Sequence, residues 1–223
     1  MEAAEKTFDW SSQHVKALII AGVIAAVIAA AVGVAWYHFD QQDRAASIEL
    51  NQVMRTLDAP IRPAGVPEQP GQTSYASASD RATQAQKQLQ AIMDKYPHTK
   101  TADFARYFHA LTAADLGNDT LAEKELKTVA DSHQKDLAAL GKFALASVYR
   151  RTNRAKDAIE IYKQLIAKPT RSVGKSMAQF ELAATYQAAG LTADAKQTYQ
   201  QIQKEDPSGP AAQMASAQLQ DLK

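Results

Sequence analysis

The chain has 223 residues, of which 46% are hydrophobic and 22% charged, with 25 Lys and Arg residues against 24 Asp and Glu residues. This composition predicts a folded domain plus an apolar segment, and the balanced charge without a long basic tract argues against a nucleic-acid partner. The chain has no cysteine, which excludes disulfides, thiol catalysis and thiolate metal sites.

The first long feature is an apolar run from Ala17 to Phe39 that contains no Asp, Glu, Lys or Arg. As a helix it would be about 35 Å long, enough to cross a hydrocarbon core of ~30 Å. Its Leu, Ile and Val residues contribute roughly −3 to −5 kcal/mol to insertion. Trp36 and Tyr37 close the run like an interfacial aromatic pair. The sequence therefore predicts a short leader over residues 1–16 and a transmembrane helix over residues 17–39.

A cleaved signal peptide is the alternative for this run, because Gly33 to Ala35 resembles a cleavage site. The run is long for a signal peptide, however, and its leader carries three acidic residues. Basic residues are in slight excess on the N-terminal side, at Lys6 and Lys16 against Arg44. This predicts an N-terminus in the cytoplasm and a C-terminal part outside the cytoplasmic membrane, in the periplasm of a Gram-negative cell.

Small residues form one face of this predicted membrane helix. Such a face lets a second helix approach closely, although it is also consistent with a merely alanine-rich span. The candidate contact residues are Gly22, Ala26, Ala29, Ala30 and Gly33.

The stretch after the apolar run divides into a helix and a loop. Residues 40–58 have the apolar spacing of a helix, whereas residues 59–79 contain Pro60, Pro63 and Pro67, through which no helix can run. We therefore predict that 40–58 is a linking helix that also forms the first helix of a split repeat. Residues 59–79 would be a proline-rich loop inserted into that repeat.

Residues 80–223 contain a helix-turn-helix repeat with steps of 37, 36 and 37 residues between its small anchor positions. Apolar residues follow each anchor at i+4 and i+7, which gives one helix face. The anchors are Ala85, Ala122, Ala158 and Ala195, followed by Leu89, Leu126, Tyr162 and Tyr199 at i+4, and by Ile92, Val129, Leu165 and Ile202 at i+7. Turn residues precede the last three anchors at Gly117, Asn153 and Gly190, and prolines follow three units at Pro97, Pro169 and Pro207. This spacing predicts an all-α solenoid of three to four repeats, closed by a capping helix over 210–222.

These residues resemble the tetratricopeptide repeat. The matching residues are Leu145, Ala146, Tyr149, Ala158 and Tyr162 in one unit, and Leu182, Ala183, Tyr186, Gly190, Ala195, Tyr199 and Pro207 in the next. The position of the Trp in that repeat instead holds Arg106, Lys142 and Gln179. The resemblance implies a right-handed helical solenoid that binds other proteins.

The layout of the whole chain resembles the YfgM-like proteins. A leader with Trp10, a single span with Trp36 at its exit, the run 46–50 and the run 96–99 carry this likeness. It implies an ancillary subunit of the Sec translocon in the inner membrane, whose periplasmic repeats link export to periplasmic chaperones.

If the repeat register is correct, aromatic residues recur along the first helices of the units. They predict either a groove for a protein partner or side chains that take the place of the missing Trp in the core. The candidate groove residues are Tyr107, Phe108, Phe143, Ser147, Phe180 and Glu181.

No spacing in the sequence is typical of catalysis, and we expect no cofactor and no metal. The five histidines are isolated from one another, at His14, His38, His98, His109 and His133. The one basic cluster, at Arg150, Arg151 and Arg154, is explained by a helix C-terminus or by an anionic partner. We expect a membrane-anchored scaffold for protein partners. The alternative is a self-associating structural protein of the cell envelope or division apparatus, which would form homo-oligomers through the membrane helix.

Overall fold

The computed structural model describes residues 15–67, 71 and 73–222. Most of the predicted leader and His14 lie outside the described residues. Within them, regular structure is helical except for an isolated bridge between Ile61 and Tyr75. The helices are α1 (Val15–Asp58), α2 (Ala78–Lys95), α3 (Lys100–Asp115), α4 (Asp119–Ala130), α5 (Lys135–Arg151), α6 (Ala155–Ala167), α7 (Lys175–Ala188), α8 (Thr192–Glu205) and α9 (Pro210–Asp221).

The first helix is continuous over 44 residues, so the segments predicted at 17–39 and 40–58 form a single unbroken helix. No proline or glycine interrupts it after Gly33, and it ends two residues before Pro60. Its C-terminal part buries Ala46 and Val53 against α2 and α3. The C-terminal part of α1 therefore packs as the first helix of a repeat whose second helix is α2.

The proline-rich loop is closed at its base by hydrogen bonds. The Tyr75 amide donates to the Pro60 carbonyl at 3.0 Å, and the Arg62 amide donates to the Tyr75 carbonyl at 2.9 Å. The Arg81 guanidinium donates to the Ala59 carbonyl at 2.9 Å, which ties α2 to the end of α1. Helix α2 begins at Ala78, two residues before the predicted boundary, because the Ser77 hydroxyl accepts from the Asp80 amide as an N-cap.

The predicted repeat register is confirmed by burial. All four anchors and the residue at i+4 from each are fully buried, and the residues at i+7 are at most 3% exposed. The turn residues Gly117, Asn153 and Gly190 have φ angles of 78°, 59° and 75°, in the left-handed region. Small anchors let neighbouring helices approach, and the larger residues one and two turns later fill the space between them.

Prolines end three second helices as the sequence predicts. Helices α2, α6 and α8 stop at Lys95, Ala167 and Glu205, each two residues before a proline. The helical conformation is disfavoured for the residue before proline, so the helix cannot continue. At the C-terminal end, α9 packs Ala212 and Ala215 into a cluster with residues of α7 and α8. The all-α fold class, with a long apolar N-terminal helix and a helical repeat domain, is confirmed.

One buried pair in the second repeat departs from the apolar pattern. His109 Nδ1 lies 2.7 Å from Glu125 Oε2, and both residues are buried. The equivalent positions in the next repeat are Leu145 and Ile161. The repeat therefore contains a polar contact where its neighbour has an aliphatic one.

Replacing one member of this pair should destabilise the fold more than replacing both. We expect His109→Leu alone to lower the free energy of unfolding by about 3 kcal/mol, because it leaves a buried carboxylate without a partner. The double variant His109→Leu/Glu125→Ile, which copies the next repeat, should be near-neutral or more stable. Denaturant unfolding of the full chain in detergent, followed by circular dichroism, measures both. Equal losses in the single and double variants would contradict this account.

Candidate functional site

The first helices of the repeats share an apolar face, which we call the groove strip. On each helix it follows an i, i+3, i+7 spacing, which places its members on one side. The strip consists of Phe104, Tyr107 and Leu111 on α3, Leu140, Phe143 and Ser147 on α5, Met177, Phe180 and Ala184 on α7, and Met214 on α9. Met177 is 50% exposed, and the equivalent Met214 on α9 is 53% exposed. The strip therefore presents apolar surface to solvent.

The aromatic members of the strip lie between core and surface. Phe143 packs edge-on against the buried ring of Tyr162, with centroids 5.7 Å apart, and Phe180 lies 5.6 Å from Tyr199. Tyr107 contacts Phe108 edge-on at 5.3 Å. Each ring is half-buried, so it covers the core and leaves one edge accessible. The rings therefore take part in the core, and contact with a partner stays a prediction.

The polar candidate residues differ from each other in their surroundings. Ser147 is exposed, whereas Glu181 Oε2 lies 2.8 Å from Arg150 Nη1 in an ion pair between α7 and α5. The Tyr162 hydroxyl is buried and has no hydrogen-bond partner within the described residues. Burial raises the pKa of Tyr162, and the charge of Glu181 adds to the effect. Aromatic rings and the ion pair of Arg150 with Glu181 thus occur together along the strip.

The apolar part of α1 is the one described helix long and apolar enough to cross a membrane, judged by length and composition. Its mean hydropathy reaches 2.5 in an 18-residue window, and no residue of that window is buried. The small residues predicted as a contact face are all exposed. A methyl group added at Gly22 or Gly33 would meet no other atom within 4 Å, so the face has room for a neighbouring helix.

A comparison with protein families matches residues 9–223 to the tetratricopeptide repeat-like domain. The chain belongs to the tetratricopeptide repeat-like family. Comparisons with curated proteins and with solved structures gave no significant match. A tetratricopeptide repeat-like domain with one potential membrane span indicates a scaffold for protein partners, and such folds are typically not enzymes.

The position of the tetratricopeptide Trp has a different environment in each repeat. Gln179 is buried, and its Nε2 donates to Glu205 Oε2 at 3.0 Å. Hydrogen bonds from Lys175, Gln201 and Gln179 lower the pKa of Glu205 to about 2. Each of the three residues also lines an open cavity, of about 470 Å³ at Arg106, 760 Å³ at Lys142 and 470 Å³ at Gln179. An open cavity thus lies beside the position of the missing indole in each of these repeats, and in one of them the residue at that position makes a buried polar contact.

The first row of the groove strip is a site feature that the sequence predictions did not include. Phe104, Leu140, Met177 and Met214 recur at steps of 36, 37 and 37, three residues before the aromatic row. The same periodicity that reveals the anchors also reveals this row. It is hard to recognise because the side chains differ in type.

The predicted basic cluster is neutralised within the fold. Arg150 pairs with Glu181, Arg151 with Asp119, and Arg154 with both Glu123 and Asp157. The Arg154 guanidinium also stacks on the Tyr149 ring at 4.0 Å. Most of these pairs join different helices, so an anionic partner is not needed to explain the cluster.

The described histidines do not converge on a shared site with a metal-binding geometry. His38 Nε2 lies 2.9 Å from Gln42 Nε2 on the exposed surface of α1, and His109 is buried with Glu125. His98 and His133 line the cavity beside Arg106. Within the described residues, no three His, Cys, Asp or Glu side chains are placed to hold a metal ion.

Proposed function

We propose that this protein is a membrane-anchored adaptor that holds protein partners on the groove strip of its tetratricopeptide repeat-like domain. The observation that carries the proposal is the apolar row repeated at Phe104, Leu140, Met177 and Met214, of which the first two are partly buried and the two methionines are exposed. Contiguous exposed apolar surface is typical of protein interaction sites. Unbranched methionine side chains also adapt to different partner shapes.

The expected ligand of the strip is an apolar or amphipathic segment of a partner protein. Aromatic edges at Phe143 and Phe180 would pack against its apolar side chains, and the ion pair of Arg150 with Glu181 would face its polar ones. Tethering the repeats to a bilayer raises their effective concentration near membrane proteins. Weak contacts along the strip would then be sufficient for recruitment.

The resemblance to the YfgM-like proteins supports a more specific proposal. In it, α1 crosses the inner membrane with its N-terminus in the cytoplasm, and the repeats link the Sec translocon to periplasmic chaperones. The excess of basic residues before the apolar run supports this orientation.

The orientation is tested with a single cysteine at Ala76, an exposed residue next to the N-cap of α2. The chain has no other cysteine, so the label has no background. We expect an impermeant thiol reagent to label this position from the periplasmic side only. Labelling from the cytoplasmic side would contradict the orientation.

Removing apolar surface from the strip should release the partners without unfolding the repeats. We expect Met177→Glu/Met214→Glu to reduce co-purification of membrane partners from mild detergent by at least about fivefold, because exposed contact residues are lost. Leu191→Glu is the matched control, since Leu191 is an apolar residue with 43% exposure at the turn before α8, outside the strip. Quantitative mass spectrometry of the purified complexes measures both.

This experiment has two outcomes that count against the adaptor. Equal losses in the strip variant and the control would show that any added acid disturbs binding. Recovery of the protein with no other membrane protein would contradict recruitment as its function. Recovery of partners other than translocon subunits would leave the adaptor in place and refute the more specific proposal.

A second candidate function is self-association through the small-residue face of α1. Gly22 and Gly33 lie on one exposed face of α1, where small residues would let a second helix approach closely. We expect Gly22→Ile/Gly33→Ile to abolish oligomers seen by cross-linking in membranes, because bulky side chains prevent close helix approach. Ala21→Ile/Val32→Ile, which adds side-chain volume elsewhere on the helix, is the control. An unchanged oligomer size in the glycine variant would refute this function.

A further inference from the structure

A cavity with an excess of basic side chains lies between the start of α3 and the end of α4. It has a volume of about 470 Å³. Its basic lining residues are His98, Lys100, Arg106 and His133. Asp103 is the acidic lining residue, and its Oδ2 accepts a hydrogen bond from Gln134 Nε2 at 3.1 Å. Basic groups therefore outnumber acidic ones around the opening.

The four basic side chains of this cavity make no hydrogen bond or ion pair within the described part of the chain. They differ in this from Arg150, Arg151 and Arg154, which are all paired. Arg106 stands where the tetratricopeptide pattern has Trp, so a guanidinium takes the place of an apolar ring that would fill space. The cavity thus offers unpaired donors to an anion, and the N-terminus of α3 adds a favourable dipole.

Hydrogen bonds between α3 and α1 fix the position of the start of α3 along the axis of α1, and so its distance from the apolar run. The Thr101 amide donates to Asp43 Oδ1 at 2.9 Å, and the Thr101 hydroxyl donates to the Asp43 carbonyl at 3.4 Å. Nearby, Lys95 Nζ and the Tyr96 hydroxyl donate to Glu49 Oε1 at 2.7 and 2.9 Å. Because α1 is unbroken, these contacts hold the start of α3 rigidly beside residue 43.

Residue 43 falls within the layer of lipid headgroups if α1 spans a membrane as proposed above. It follows Phe39 by four residues, a rise of about 6 Å along a helix parallel to the bilayer normal. The headgroup layer on each side of the hydrocarbon core is about 5–7 Å thick. Lys100, which precedes Thr101, would therefore lie near the level of the lipid phosphates.

We propose that this cavity binds the phosphate of an anionic phospholipid headgroup. The Arg106 guanidinium and the Lys100 ammonium group donate hydrogen bonds to the phosphate oxygens, with His98 and His133 at the rim. The nearest acidic residues of α1 are already engaged: Asp40 with Arg44, Asp43 with Thr101, and Glu49 with Lys95. Bound lipid would hold the first repeats against the bilayer and orient the groove strip relative to the membrane.

A soluble phosphate ester offers the same chemistry as the lipid headgroup. The lipid is favoured because Lys100, which lines the cavity, would lie at headgroup height, and the next residue, Thr101, is bonded to Asp43 of α1. A phospholipid there is held in a layer at high local concentration, whereas a soluble ester has to be captured from solution.

Lipid retention by the full chain, purified in mild detergent with added phosphatidylglycerol, tests this site. Native mass spectrometry counts the lipids that the protein retains. We expect Lys100→Gln/Arg106→Gln to reduce phosphatidylglycerol retention by about tenfold or more, since each cation near an anionic lipid contributes measurably to binding. Lys156→Gln/Lys196→Gln, which removes two cations near the starts of α6 and α8, is the matched control and should retain the lipid. Phosphatidylcholine should be retained poorly by all forms.

A second measurement does not depend on variants of the basic residues. A nitroxide on a single cysteine at Ser132, which lines the cavity, should be relaxed strongly by nickel-chelating lipids in nanodiscs. The same label at Thr120, exposed near the start of α4 and at the other end of that helix, should be relaxed weakly. Equal relaxation at both sites would overturn the inference.

The remaining outcomes separate this inference from the proposed function. Equal lipid loss in the cavity variant and its control, or lipid retention unchanged in both, overturns the headgroup site. Displacement of the lipid by millimolar inorganic phosphate, with no preference for phosphatidylglycerol over phosphatidylcholine, shows a small-anion site and overturns it as well. Extraction of the protein from membranes by alkaline carbonate would refute the membrane anchor itself, which the headgroup site requires.

Discussion

The packing of the repeats depends on the burial of the small anchor residues at a regular period. Ala85, Ala122, Ala158 and Ala195 are fully buried, and the larger side chains one turn later are also fully buried and fill the space between the helices. A single helix pair cannot bury both of its faces. Each repeat therefore relies on its neighbours, and α1 and α9 supply the packing at the two ends.

The participation of α1 in this packing links the repeats to the apolar segment without a flexible joint. The same helix that is exposed over residues 19–39 buries Ala46 and Val53 further along its length. Its position relative to α2 and α3 is fixed by the bonds of Asp43 and Glu49. Any bilayer that holds the apolar part would therefore also set the height and direction of the first repeats. Recruitment and lipid contact, as proposed, would both depend on this rigid connection.

Replacement of the tetratricopeptide Trp changes what the space between repeats can do. A buried indole would seal each repeat with apolar surface. Instead, Arg106, Lys142 and Gln179 each line an open cavity, and Gln179 also donates a hydrogen bond to Glu205. The aromatic residues of the first helices cover the buried tyrosines of the second helices, so they contribute to both the core and the surface. The proposed binding surface would therefore share side chains with the core along the groove strip.

The repeat register, the turns and the helix ends before Pro97, Pro169 and Pro207 could be predicted from the linear sequence, because periodic burial, positive φ and proline act over a few neighbouring residues. The apolar character and length of the segment before the repeats were equally accessible. The pairing of the charged residues could not be predicted from the sequence. Arg150 pairs with Glu181 and Arg154 with Glu123, and in each pair the two residues are about thirty positions apart in the chain. The buried contact of His109 with Glu125, the half-buried state of Phe143 and Phe180, and the unpaired cations around Arg106 emerged only in the folded chain. Each depends on side chains from different helices meeting in space, and a linear pattern does not encode those distances.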